Sequence, residues 1–336
     1  MTGPATPRDR IGAVAIGRNE GERLVRCLAS LQGAAGHLVY VDSGSTDNSV
    51  AAARAAGAEV VELDMSVPFT AARARNAGFE ALIAKAGQEE SGDAIDYVQF
   101  VDGDCAMVGG WIPKGAAALD ANPEFGMVTG WRSEIHRDAS IYNALCDFEW
   151  HRPAGEILAC GGDMMVRRAA FEQVGGFNPV VIAAEDDEFC TRLRKAGWRL
   201  ERLPEEMTRH DAAMTRFGQW WTRAVRTGHG FAQVNALHPE YFVSESRRVW
   251  VFGLALPLIA LAFLIFWPWG ILLVLAAYGI SYLRTVRGLV REGLDAAQAR
   301  SHAMLLSLSK FPNLIGVLTY WARRWRGRSM RLIEYK

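Results

Sequence analysis

From Val249 to Trp267 the chain reads VWVFGLALPLIALAFLIFW, without one charged residue. A run this long and apolar has few ways to fold. About 20 such residues in a helix cross the hydrocarbon of a bilayer, and only a helix or a closed barrel satisfies its own backbone there. A second run, WGILLVLAAYGISYL (269–283), follows directly after Pro268. The two predict a helical hairpin over about 249–286, with a tight turn at Trp267-Pro268-Trp269-Gly270. A hairpin buried in a protein core is the alternative. The first run is apolar on every face, however, and tryptophans (Trp250, Trp267, Trp269) stand at its ends, where membrane interfaces favour them.

A third run, AMLLSLSKFPNLIGVLTYW (303–321), contains Lys310 and Pro312. Arg284, Arg287 and Arg291 follow the hairpin; Arg323, Arg324, Arg326, Arg328, Arg331 and Lys336 follow the third run. Were that run to cross, the two basic clusters would face opposite sides, against the positive-inside rule. The expectation is a hairpin plus a re-entrant or interfacial segment over about 303–322, with both clusters cytoplasmic and attracted to anionic lipid.

The chain before this region alternates strands and helices. IGAVAIG (11–17), HLVYVD (37–42), AEVVEL (58–63) and DYVQFVD (96–102) are short apolar, β-branched runs. Between them lie helical stretches. In 19–32, Leu24, Cys27, Leu28 and Leu31 make one apolar face; 45–57 opens on capping residues and ends at Gly57; 70–86 is the third. This βαβα order predicts a doubly wound, mostly parallel sheet. Ligands of such sheets bind beyond the carboxyl ends of the strands, where Asp42 and Asp102 sit. The predicted organisation is a disordered lead-in over 1–10, a catalytic domain over 11–245 and a membrane region over 246–336.

Charge excludes one class of function. Lys+Arg and Asp+Glu both count 37 among 336 residues, so no global bias draws the chain to nucleic acid. The five cysteines (Cys27, Cys105, Cys146, Cys160, Cys190) lack zinc-site spacing and suit a reducing compartment. MTGPATPRDR has no apolar run after its charges and does not read as a secretory signal.

Several motifs follow in order: IGRNEGERLVRCLASL, VDSGSTDNSV, ARARNAG, VDGDC, GGDMMVRRAAFEQVGGF, AEDDEFCTRLRKAGWRL and RHDAAMTRFGQWWTRAVRTG. Together they resemble the inverting family-two glycosyltransferases of the GT-A fold, in their membrane-anchored bacterial form, over roughly residues 11–235. The resemblance implies transfer of a sugar from a nucleotide donor, UDP-linked by analogy. Its acceptor would be a membrane-held, polyprenyl-diphosphate-linked saccharide in surface or exopolysaccharide synthesis, at the cytoplasmic face of the inner membrane. A processive polysaccharide synthase and a non-catalytic nucleotide-binding adaptor are the rivals. The Q-x-x-R-W signature of polymer-making members is missing here, where Gln219-Trp220-Trp221-Thr222-Arg223 stands.

The reaction explains the residue types. Negative charge builds on the departing diphosphate, and a divalent cation absorbs it. Mn2+ and Mg2+ prefer oxygen ligands. The resemblance gives the metal to Asp104, with Asp102 beside it facing ribose or a metal-bound water, and His210 as a further ligand. A solvated acidic turn is the bland reading of the two aspartates, and a structural histidine that of His210. Glu20, Asp42, Arg75 and Asn76 fall on the nucleotide side, with Arg223 or Arg226 on the diphosphate. A first-turn glutamate at Glu20, a loop cap at 45–47 and an exposed helix arginine at Arg75 are the corresponding structural readings. An inverting transferase needs one general base. The family's E-D motif puts it on Asp186, with Glu185 positioning it, while Asp187 and Glu188 leave a one-residue ambiguity. Gly161, Gly162 and Asp163 are candidates for the sugar or acceptor side, and Trp220 and Trp221 for sugar stacking, the membrane surface or core packing.

Overall fold

The computed structural model describes residues 8–87 and 95–334. Part of the lead-in expected over 1–10 therefore lies outside the described residues. The chain divides into two compact units: Met1–Arg137 with Cys146–Ala213, and Asp138–Leu145 with Met214–Lys336.

In the first unit, β1 (Ile11–Gly17), α1 (Glu22–Leu31), β2 (His37–Asp42), α2 (Ser49–Ala55), β3 (Glu59–Glu62), α3 (Ala71–Ala86) and β4 (Tyr97–Asp102) follow the expected alternation. There follow β5 (Cys105–Met107), α4 (Trp111–Ala121), β6 (Phe125–Glu134), α5 (Ile141–Trp150, which spans the division), β7 (Gly155–Glu156), β8 (Met164–Arg167), α6 (Arg168–Gln173), α7 (Glu185–Lys195) and β9 (Arg199–His210). The strands form one sheet in the order β3-β2-β1-β4-β8-β6-β9-β5, with β7 on β9. Its first half is parallel, β1 pairing with both β2 and β4, and β2 with β3. The later strands mix senses: β8 runs antiparallel to β4 and β6, whereas β6 and β9 are parallel.

Both faces of the sheet are covered, so its strands are apolar on both sides. Ala13 and Ala15 face the α1 side with Leu24, Cys27, Leu28 and Leu31. Val14 and Ile16 face α3 with Phe79 and Leu82. On that second face Phe177 and Phe189 stack at 4.3 Å, and Phe79 and Phe171 at 4.1 Å. This aromatic block seats α7 and so fixes where its acidic first turn points. α3 lies almost on the sheet at Gly78, where a Cβ would meet Val14 Cγ1 at 2.3 Å and Val41 Cγ2 at 2.9 Å.

In the second unit, α8 (Phe217–Leu237), α9 (Val243–Arg248), α10 (Leu256–Phe266), α11 (Ile271–Arg291), α12 (Ala296–Leu308) and α13 (Lys310–Trp325) follow. A wide π-turn, Val249–Ala255, joins α9 to α10. Pro257 comes just after it. Proline has no N–H and crowds the carbonyl four residues back, and the π-turn is one way a helix accommodates such a break. The hairpin expected over about 249–286 is present but longer: Val243–Phe266 and Pro268–Arg291 are both long and apolar enough to cross a membrane. Most of their large side chains are exposed, Phe266 at 83% among them. The 303–322 run is split at Ser309 between α12 and α13 and is not a third such helix among the described residues. One face of α13 (Asn313, Gly316, Val317, Tyr320) is buried. Gly316 meets α8 so closely that a Cβ there would stand 2.0 Å from Val225 O.

Overpacked cores lose about 1–3 kcal/mol. Gly78→Ala should lower the thermal unfolding midpoint of the first unit accordingly, as followed by circular dichroism of the full chain in detergent; an unchanged midpoint would show that α3 can lift off the sheet.

Candidate active site

β4 ends in Asp102-Gly103-Asp104, and the chain turns at once into β5. Gly103 N donates to Ile16 O at 2.7 Å, which pulls the turn onto the end of β1. The two carboxylates then diverge. Asp102 Oδ1 accepts from Arg75 Nη2 at 2.8 Å, and its Oδ2 faces Arg132 Nη2 at 3.4 Å. Asp104 Oδ2 faces His210 Nε2 at 3.2 Å. Strand pairing makes the second contact possible, since Cys105 on β5 lies opposite His210 on β9.

Each carboxylate thus has its own counter-charge, and the repulsion expected between close acids is offset. Burial alone would raise Asp102, but Arg75 and Arg132 outweigh it and hold its pKa below the ordinary value, so it stays ionised. Burial would likewise lower His210, but Asp104 and Glu134 overcome it and hold the imidazole above its ordinary value. Glu134 Oε2 stands 3.5 Å from His210 Nδ1 and accepts from Ala212 N at 2.9 Å. The Trp150 ring meets His210 edge-on at 4.6 Å, and the Arg132 guanidinium lies over the same ring at 5.3 Å.

These residues fit a divalent cation. Asp104, Cys105 and His210 bring ligand atoms within 4.8 Å of one another, as do Asp102, Cys105 and Asp163. An oxygen and an imidazole suit manganese, and the ion would displace the proton that Asp104 and Glu134 favour on His210. A carboxylate behind the far ring nitrogen, here Glu134, is the usual outer support of a metal-bound histidine.

Arg75 extends the network to α7. Its Nη1 donates to Glu185 Oε1 at 2.8 Å. α7 begins after Ala184, whose φ of 57° is left-handed and strained for a residue with a Cβ. Its first turn carries Glu185, Asp186, Asp187 and Glu188, a favourable place for acids near the helix dipole. Asp186 Oδ1 accepts from Asp187 N at 3.0 Å. Desolvation in its half-buried setting, together with Glu185 and Asp187, pushes the Asp186 carboxyl well above the usual carboxylate range, against the pull of Arg75. Glu188 is spent on Arg192 at 2.8 Å. A cavity of about 220 Å3 lies alongside, lined by Arg132, Trp150, Cys160, Gly161, Asp163 and Asp187 among others.

Comparison with known proteins matches this layout. Residues 14–175 match Glycosyl transferase family 2, and residues 140–215 match the N-terminal domain of galactosyltransferase. The chain is similar to glycosyl transferase family 2. This glycosyltransferase is 26% identical over 254 residues to a pre-mycofactocin glycosyltransferase of Mycobacterium tuberculosis, covering 70% of this chain and 50% of that one. It is 27% identical over 195 residues to a TPR repeat-containing protein of Synechococcus elongatus, covering 58% and 40%. It therefore spans half or less of the length of these relatives. A mannosyltransferase from Pyrobaculum calidifontis in complex with GDP-Man and Mn2+ shares its GT-A fold, with a TM-score of 0.55 and 19% identity over 94% of this chain and 88% of the other.

The structure draws Asp102, Asp104, His210, Arg75, Glu185 and Asp163 of the glycosyltransferase into one network, but it changes several expected roles. Arg75 is not an exposed helix arginine; it is buried between two carboxylates. Asn76 holds Phe177, donating to its carbonyl at 2.7 Å and accepting from its N–H at 2.9 Å, so its amide is not turned to a nucleotide. Asp163 accepts from Asp102 N at 3.0 Å, Thr208 Oγ1 at 2.7 Å and Arg132 Nη2 at 2.8 Å. With three of its roughly four lone-pair directions filled, it buttresses Asp102 rather than holding a sugar hydroxyl. Gly162 is needed because a Cβ there would meet Arg75 Nη2 at 2.0 Å.

Asp42 accepts from Tyr40 OH at 3.0 Å, Gly44 N at 2.9 Å and Ser45 N at 2.8 Å, and so shapes the loop after β2. Glu20 pairs with Arg23 at 2.8 Å beside the turn. Gly161 lines the cavity. Trp220, Trp221, Arg223 and Arg226 belong to α8 of the second unit, where Trp220 is buried against Tyr142 and Phe217. Three site residues escaped sequence reading: Arg132, Glu134 and Trp150. The first two had a signal, a cation and an acid two apart on one face of an apolar strand; Trp150 had none.

Breaking a buried ion pair costs about 3–5 kcal/mol. Asp163→Ala should therefore cost stability as well as activity in a denaturant titration. Lost activity at wild-type stability would return Asp163 to the role of a sugar ligand.

Proposed function

We propose that the chain is an inverting, metal-dependent transferase. It moves one sugar from a nucleotide-diphosphate donor to a hydroxyl of a membrane-held acceptor, a polyprenyl-diphosphate-linked saccharide in surface or exopolysaccharide assembly. The observation that carries this reading is the single buried network joining the Asp102–Asp104 turn to the acidic first turn of α7. It sets a diphosphate-side cluster and a base-side cluster on two ends of one guanidinium.

On the donor side Asp104 and His210 would hold Mn2+ or Mg2+, with Asp102 beside them. When bound there, the cation supplies positive charge for the departing diphosphate. Arg75 and Arg132 keep Asp102 ionised. The end of β2, with Asp42 and Glu20 near it, receives the nucleoside. On the acceptor side Asp186 takes the hydroxyl proton as the oxygen attacks the anomeric carbon in line. Its raised pKa favours this role, because a base works best when its pKa approaches the working pH. The cavity beside Trp150 and Gly161 receives the acceptor. At about 220 Å3 it is smaller than whole-ligand pockets, which run about 300–1,000 Å3, and suits a single ring. Asp187 lines that cavity and is the second candidate for the base.

The functional division runs at about 245, a catalytic part over 11–245 and a membrane part over 246–336. The hairpin crosses the inner membrane, with the catalytic part in the cytoplasm. On α13, Ile315, Leu318, Trp321 and Trp325 form an exposed stripe followed by Arg326, Arg328 and Arg331, the pattern of a helix lying in an anionic interface. Such an anchor raises the local concentration of a lipid-linked acceptor.

The test is a donor screen on membranes that contain lipid-linked intermediates. Asp186→Asn should bind donor and lose transfer, while Asp187→Asn keeps it; the reverse would move the base by one residue. Chelation by EDTA should stop turnover and Mn2+ or Mg2+ restore it, and Asp104→Ala should lose the metal-dependent share of nucleotide binding. Nucleotide binding with neither transfer nor hydrolysis, across donors and acceptors, would overturn the reading.

The pH dependence has a definite sign. A base with a raised pKa keeps its proton to higher pH, so kcat should rise with pH along a limb well above the ordinary aspartate value of about 4. A limb at that ordinary value would place the base elsewhere.

A further inference from the structure

Arg75 carries a permanent charge yet is only 2% exposed. Its two η nitrogens donate to carboxylates from distant parts of the chain, Glu185 and Asp102, both at 2.8 Å. Its Nε is buried without a hydrogen-bond partner. The guanidinium lies over the Phe177 ring at 5.3 Å, and Gly162 leaves it room to pass. A cation enclosed in this way is not placed to reach a phosphate.

Its neighbours on α3 work to the same end. Asn76 ties down the Phe177 main chain. Thr70, the N-cap of α3, accepts from Arg73 N and donates to Pro179 O at 3.1 Å. The first turns of α3 therefore grip the segment that leads into α7. That entry contains the left-handed Ala184, a conformation that persists only where its surroundings impose it.

We propose that Arg75 is a positioning residue: it locks the base-bearing start of α7 to the Asp102 turn, so that proton acceptor and donor site keep one fixed separation. The inference rests on the transferase reading for its consequence in turnover, but not for the lock itself. Arg75 holds Glu185 and Asp102 through a planar fork, and lysine, a point charge, cannot hold both in that geometry. Misplacing a reacting group by about 1 Å can cost about 100-fold in rate.

The test uses the full chain in nanodiscs. Arg75→Lys and Glu185→Gln should each lower kcat about 100-fold while changing the affinity for a nucleoside diphosphate in Mn2+ by less than about threefold. Both variants break one link, so the double variant should lose no more than the worse single one. Amide hydrogen exchange over 184–188 should quicken about tenfold or more in each variant, with 11–17 and 97–102 unchanged.

Exchange does not depend on turnover. A wild-type chain that turns over no donor, with the exchange response intact, would sink the transferase reading and leave the lock standing. Equal losses in kcat and in nucleoside diphosphate affinity for Arg75→Lys would make Arg75 a donor contact and overturn the lock. So would unchanged exchange over 184–188. Should Arg75→Lys fail to fold, Glu185→Gln alone decides by the exchange readout.

Discussion

Two carboxylates one glycine apart at the end of a buried strand are stable only if something separates their charges, and here they are assigned to different cations. Asp102 belongs to Arg75 and Arg132, and Asp104 to His210. The rest of the first unit can be read as the support for that arrangement. β5 turns back so that β9 can deliver His210; β6 delivers Arg132 and Glu134; α3 delivers Arg75. Asp163 then holds the Asp102 backbone N–H and the Arg132 guanidinium at once. Removing one partner from such a network leaves an uncompensated buried charge, which costs more than the intact pair contributes.

The second unit is organised by a different constraint. Its apolar hairpin exposes large side chains along both arms, and both arms are long and apolar enough to cross a membrane. α8 and α13, by contrast, meet through small residues: a Cβ on Gly228 would stand 2.0 Å from Asn313 O. This close backbone packing explains why the 303–322 run is apolar without being a third span. On α13 one face is buried at Asn313, Gly316, Val317 and Tyr320, while Ile315, Leu318, Trp321 and Trp325 stay exposed.

How much of this was legible in the sequence depended on whether the signal was local. The first four strands and three helices fell where periodicity put them, and the buried face of α1 is the predicted Leu24, Cys27, Leu28 and Leu31. Motif order singles out Asp102, Asp104 and His210, and the structure brings them to one turn. Arg75 was found as a residue and missed as a contact, since nothing local distinguishes a surface arginine from one enclosed by Glu185. Asn76 and Asp163 bond to Phe177 and Thr208 from distant parts of the chain, contacts that no local pattern announces. Trp150 carries no local mark at all, and its place between Arg132 and His210 exists only once β6 and β9 are paired.

The most direct measurement is the anomalous scattering of manganese in crystals grown with Mn2+ and a nucleoside diphosphate. The account predicts one strong peak in ligand contact with Asp104 and His210, with the diphosphate on its open side and Asp102 still held by Arg75. A nucleoside diphosphate bound with no peak at that turn, or a peak on acids elsewhere in the chain, would contradict it.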